Sequence, residues 1–290
     1  MNSALQHQAQ KLAALLPPLL VEAERVASVV HQGIHGRRRA GIGESFWQFR
    51  RYTAGDPAER IDWRQSARTD KLFIREREWE AAQNVYLWAD MSGSMRYRTY
   101  KEDPSKTERA QVLLLALATL LVRGGEKAVW LAREPIVIRG REGLQRIAAS
   151  LETTPIDESL PPQNPIARHA HIVLASDFLM PPAELDQLMR RYAALNLRGA
   201  LVHVLDPAEE DLPFQGRLEM QGLEGEEPLL LPNAGALRAA YRQRMATHKA
   251  RLARMAESAG WFYIPHVTNT QPHATLMQLF QNLAADPRGL

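Results

Sequence analysis

The residues best suited to chemistry stand at Asp90-Met91-Ser92-Gly93-Ser94. They follow VYLWA (85–89), which reads as a buried strand. An aspartate and two serines at alternate positions can be gathered into one small volume by a strand–turn–helix corner. One carboxylate and two hydroxyls are hard oxygen donors. They suit Mg²⁺ or Mn²⁺, with Ca²⁺ as a third candidate, and not a soft metal. Hydroxyls are neutral, so this set leaves a divalent ion under-neutralised, with an open position that an incoming carboxylate can fill. That is binding chemistry more than hydrolysis, because the motif carries no evident general base. The plain alternative is a turn whose Asp and Ser bond their own backbone.

Further donors are needed. Asp177 follows the apolar run HIVLAS (171–176), so it also stands at a strand's carboxyl end. Thr153 and Thr154 lie after a helical stretch at 141–151, and Thr154 is the favoured ligand, with the register open by one. In open α/β sheets, ligands bind at the carboxyl ends of strands.

The elements that must position these residues alternate. Strands are expected at 85–89, 128–132, 135–138, 171–176, 200–206 and 261–265. Helices are expected from Ser105 through Val122, at 141–151, from Pro181-Pro182 to about Leu195, at 235–259 and at 273–284. Ser105 and Glu108 have the spacing of a capping box. A further helical period covers 4–31, interrupted at Pro17-Pro18. Strands separated by helices predict a mostly parallel α/β sheet covered on both faces. Residues 206–231 break the alternation as an acidic insertion, and the helix after it is basic, so the two are expected to neutralise each other.

Composition narrows the classes. The chain has 290 residues, 45% hydrophobic and 24% charged, which suits a globular protein. With no cysteine, disulfide scaffolds, thiol nucleophiles and thiolate metal sites are excluded. A formal charge of +3 is too small to imply nucleic acid. The most apolar run, Ala110 to Val122, is shorter than a membrane span needs. The first 25 residues do not read as a signal peptide, and the expected location is the cytoplasm.

The order D-x-S-x-S, threonine, then Ser-Asp resembles the metal-ion-dependent adhesion site of von Willebrand factor A domains. Upstream, GIGESFWQFRRYTAGDPAERIDWRQSAR (Gly41 to Arg68) and LFIRERE (Leu72 to Glu78) resemble the signature of the bacterial domain-of-unknown-function 58 family. That resemblance implies a three-layer von Willebrand A-like domain over 82–290, with 1–81 as an N-terminal segment packed against it. It implies Asp90, Ser92, Ser94, Thr154 and Asp177 as metal ligands. It also implies a partner: a MoxR-type AAA+ ATPase, or a client of that ATPase, in chaperone-like maturation of other proteins.

The upstream segment interleaves Arg50, Arg51, Arg60, Arg64 and Arg68 with Asp56, Asp62 and Asp70, among Trp47, Phe49, Tyr52 and Trp63. Arginine forks on aspartates would brace it to the main domain. The matched acids argue against stacking on single-stranded nucleic acid. Arg37, Arg38 and Arg39 read as a solvated loop. His169 and His171 read as structural. No P-loop, H-E-x-x-H or G-x-S-x-G motif is present, so ATP hydrolysis must come from a partner. The reading favoured is a non-enzymatic, metal-dependent protein-interaction module. The alternative is a Mg²⁺- or Mn²⁺-dependent hydrolase of a phosphorylated substrate.

Overall fold

Strand β3 (Asn84–Ala89) fixes the layers. Val85, Leu87 and Ala89 face one apolar core, while Tyr86 and Trp88 face another. A strand whose two faces are both apolar must be covered on both sides. The computed structural model describes residues 18–35, 46–52, 61, 63–67, 71–77, 84–153, 159–223, 225 and 227–284.

On one side of β3 lie β4 (Lys127–Trp130) and β5 (Ile136–Ile138). On the other lie β6 (His171–Ser176), β7 (Arg198–Leu205) and β10 (Phe262–Val267). The order is β10-β7-β6-β3-β4-β5, parallel throughout except for the antiparallel edge strand β5. The chain leaves β3 for β4 on one side and later returns to β6 on the other. The carboxyl ends of β3 and β6 therefore flank a topological switch point, where such sheets open a crevice.

Helices close both faces. Helix α1 (Pro18–His35), α3 (Lys106–Arg123), α4 (Gly140–Thr153) and α8 (Pro272–Ala284) share one core with the sheet. Helices α5 (Pro182–Ala194) and α7 (Ala234–Ser258) cover the opposite face. The three-layer, mostly parallel α/β fold expected from the sequence is the fold the chain adopts. The run from Ala110 to Leu121 is buried all round because α3 is sandwiched between the sheet, α1 and α8. Ser105 accepts from the Glu108 amide and Glu108 returns the bond, so the expected capping box is formed.

Boundaries move by a few residues at several ends. The first described helix begins at Pro18, where proline's fixed φ suits a first turn. The part of the predicted 4–31 helix ahead of it lies outside the described residues. Strands β1 (Phe46–Arg51) and β2 (Phe73–Arg77) pair as an antiparallel hairpin, with the short helix α2 (Trp63–Ser66) between them. Ser66 Oγ accepts from the Phe73 amide at 2.9 Å. Asp56, Arg60, Asp62, Arg68 and Asp70, on which the predicted brace depends, lie outside the described residues.

The 206–231 insertion contains a short helix, α6 (Pro207–Asp211), and a hairpin of β8 (Leu218–Met220) and β9 (Leu229–Leu231). Its acids meet the basic helix as expected: Arg242 pairs with Asp211, and Lys249 with Glu210 at 2.5 Å.

Two buried histidines give the fold an acid-sensitive component. Burial, with Arg109 adding to it, pushes His266 down to about 4; burial, then His248, pushes His203 down to about 3. Each folded value lies below the unfolded one of about 6.5, so the folded state binds fewer protons. The stability is full above pH 6.5 and drains away as pH falls. By pH 5 each histidine costs about 2 kcal/mol. His266→Gln is therefore expected to flatten the loss of stability between pH 7.5 and pH 5 by about that amount in urea titrations. An unchanged slope would remove His266 from the account.

Candidate metal centre

Strand β3 ends at Ala89, and the Asp90 amide still bonds to the Ala175 carbonyl of β6 at 2.8 Å. The chain then turns sharply into a single 3₁₀ turn at Ser94–Arg96. One oxygen of the Asp90 carboxylate, Oδ1, accepts from the Ser92 amide at 2.9 Å, which shapes that turn. The other, Oδ2, accepts from Ser176 Oγ at 2.5 Å, across the switch point. Ser92 Oγ and Ser94 Oγ lie 3.2 Å apart. Three of the predicted ligands, Asp90, Ser92 and Ser94, thus belong to one turn at the carboxyl end of β3.

This donor set fits a hard divalent ion. Two oxygens bound side by side on an octahedral Mg²⁺ ion stand about 2.9 Å apart, and on the larger Ca²⁺ about 3.4 Å. The 3.2 Å serine pair falls in that interval. Among the described residues, no three histidine or carboxylate side chains converge as a metal-binding group, so the hydroxyls are integral to any such site. Asp90 is buried, and burial, chiefly, raises its carboxyl to about 6; the Ser176 and Ser92 hydrogen bonds oppose the shift, and Asp177 adds to it. A carboxylate held in a dry site at this cost is what an incoming cation would relieve.

Asp177 sits at the matching end of β6, also buried, but its carboxylate is engaged. Oδ2 accepts from Lys106 Nζ at 2.8 Å, and Oδ1 from the Leu179 amide at 3.1 Å. Thr154 lies outside the described residues. Thr153 is the last residue of α4, and its side chain lies outside the description too.

After Asp177 the backbone enters the left-handed region at Phe178, φ 53°. A bulky side chain pays for that conformation. It is held by the Phe178 amide on Ser176 Oγ at 2.8 Å and by the buried ring edge-on to His203. Leu179, the next residue, is left 56% exposed.

Sequence reasoning missed three participants. Ser176 was read only as the neighbour of Asp177, yet it ties β6 to Asp90. Lys106, which lies between Ser105 and Glu108 of the capping box, bonds both Asp177 and Glu209, the latter at 2.6 Å. Glu209 also accepts from the Asp206 amide at 2.8 Å, closing the capping box of α6. Asp206-x-x-Glu209 is itself a legible helix-start signal. Its tie to Lys106 is not, because 103 residues separate them.

Two uncharacterized proteins, one of Mycobacterium bovis and one of Mycobacterium tuberculosis, are each 27% identical to this chain over 274 residues. The alignment covers 86% of this chain and 83% of each relative. Among solved structures, an aerotolerance-related membrane protein from Bacteroides fragilis is 17% identical, with a TM-score of 0.42 over 69% of this chain and 98% of that one. BatB from Bacteroides thetaiotaomicron is 12% identical, with a TM-score of 0.41 over 69% and 98%. The SpRpn10 VWA domain is 13% identical, with a TM-score of 0.36 over 72% and 97%. Among the described residues no helix is long and apolar enough to cross a membrane. Residues 48–251 match the family described as "Protein of unknown function DUF58". That match takes in the β1–β2 hairpin and the strands that end at Asp90 and Asp177, and on it the chain belongs to the DUF58 family.

Proposed function

We propose that the chain is a metal-dependent protein-interaction module whose binding centre is the Asp90–Ser92–Ser94 turn. The observation that carries this reading is one turn at the sheet's switch point that holds two serine hydroxyls 3.2 Å apart and a buried carboxylate bonded to the Ser92 amide. A bound Mg²⁺ or Mn²⁺ would supply an open coordination position for a partner's carboxylate. The chain's own part is to orient the donors. Ser176 and the Ser92 amide fix the Asp90 carboxylate, which is buried. Leu179, two residues after Asp177, offers an exposed apolar contact. Of partners, the family resemblance favours a MoxR-type AAA+ ATPase or its client.

The test is capture from native lysate on immobilised protein, with wild type in Mg²⁺, wild type in chelator, and Asp90→Ala in Mg²⁺. The expected result is a protein retained at least tenfold better in the first arm than in the other two, identified by mass spectrometry. Equal retention in all three arms would overturn the metal-bridged contact. Turnover of a phosphoester that requires Asp90 would replace it with the hydrolase reading.

A further inference from the structure

We infer that Lys106 is the site's resident cation, and that its ammonium competes with a divalent ion for the field of Asp177 and Glu209. The inference rests on the turn described above as the place where the ion binds.

Lys106 is the first residue of α3 and its side chain is wholly buried. A positive charge at a helix N-terminus is opposed by the helix dipole, and burial of an ammonium is costly. Its position is therefore explained by what faces it. Nζ lies 2.8 Å from Asp177 Oδ2 and 2.6 Å from Glu209 Oε1. The two carboxylates at hydrogen-bond distance offset the cost of burying the ammonium.

The arrangement joins three pieces of the fold: the end of β6, the start of α3 and the start of α6. Two carboxylates, those of Asp177 and Glu209, face the single ammonium of Lys106, so one negative charge is left over. Asp206 spends its oxygens on the Ala208 amide, the Thr99 amide and the Thr99 hydroxyl. The surplus negative field that remains is the part a divalent ion can use, and Lys106 cancels a share of it. The ammonium also occupies Asp177 Oδ2, so Asp177 acts on an ion in the Asp90 turn through its field or an intervening water. Neutralising Lys106 frees that oxygen and removes a like charge from the neighbourhood of the ion. Neutralising Glu209 does the reverse, because a negative charge is lost while the ammonium stays on Asp177.

The test is titration of the full chain with Mn²⁺, followed by calorimetry and by the loss of the free-ion paramagnetic signal. It compares wild type, Lys106→Met and Glu209→Gln, with folding of each checked in chelator by circular dichroism. Lys106→Met is expected to bind Mn²⁺ at least tenfold more tightly than wild type, and Glu209→Gln at least threefold more weakly. If wild type binds and folded Lys106→Met binds equally or more weakly, the inference is overturned while the metal reading stands. If wild type does not bind but Lys106→Met does, the inference is supported and the metal-dependent function is overturned. If neither binds, both fall. If Lys106→Met does not fold, Glu209→Gln decides: weaker binding supports the inference, and equal or tighter binding overturns it.

Discussion

In chelator at pH 7, Asp90→Asn is expected to melt above the wild type. The reason is the cost that the site imposes on the fold. Burial raises the Asp90 carboxyl to about 6 from a model-peptide value of 3.8. For a carboxyl the sign runs opposite to that of the buried histidines. The folded state binds this proton more tightly than the unfolded chain, so the fold weakens as pH rises from about 3.8 to about 6 and stays weakened above that. At neutral pH the difference of about two pKa units corresponds to about 3 kcal/mol. Asparagine keeps the acceptor for the Ser92 amide and a polar group for Ser176, yet carries no charge. For a chain of this size that amounts to a rise of roughly 5 °C. The advantage is expected to shrink as pH falls below 6 and to vanish below about pH 3, where Asp90 is protonated in both states. Saturating Mg²⁺ or Mn²⁺ reverses the order, because the ion stabilises only the protein that binds it. Differential scanning calorimetry of both proteins, with chelator and with ion, checks all three statements. A wild type that melts higher than Asp90→Asn in chelator at pH 7 would contradict the assignment of a strained, charged carboxylate at the turn.

A second large effect is expected far from any charge. Gly199 lies on β7 opposite Ile172 of β6, and a β-carbon placed there would overlap the Ile172 carbonyl. The offending atom is backbone in a central strand, so it cannot swing aside. Gly199→Ala must therefore push β7 away from β6, and the expected loss is about 3 kcal/mol of unfolding free energy, at the upper end for overpacking. Gly235→Ala is the matched control. A β-carbon there, in the first turn of α7, meets only Asn233 Oδ1 at an ordinary 3.4 Å. It should be neutral or gain up to about 1 kcal/mol. Urea unfolding of the two variants is the measurement. Equal stability would mean that β6 and β7 are not as closely paired as described.

Much of the fold was legible because its signals are local. Six strands and the helices between them announce themselves by apolar runs, proline at helix starts and the Ser105–Glu108 box. The Asp90-x-Ser92-x-Ser94 spacing was legible for the same reason: three donors on one turn need only a few residues of chain. Ser176 and Lys106 were not, because their roles depend on which strands become neighbours. Ser176 reaches Asp90 across 86 residues, and Lys106 reaches Asp177 across 71. Of the five ligands that the resemblance implies, four, Asp90, Ser92, Ser94 and Asp177, have described side chains, and Thr154 lies outside the described residues. In the folded chain Asp177 differs from the other three, since an ammonium already holds it. The acidic insertion and the basic helix were paired correctly in outline, since charge opposition needs only proximity, but the Asp206–Glu209 box linking the insertion to the site went unread.

The most direct measurement of the central claim is a Mn²⁺ titration of wild type against Asp90→Asn, read by the loss of the free-ion paramagnetic signal. One bound ion per chain is expected in the wild type, displaced by excess Mg²⁺, and at least a hundredfold weaker binding in Asp90→Asn. Binding that survives the substitution unchanged would place any ion elsewhere and contradict the claim that the Asp90–Ser92–Ser94 turn is the metal centre.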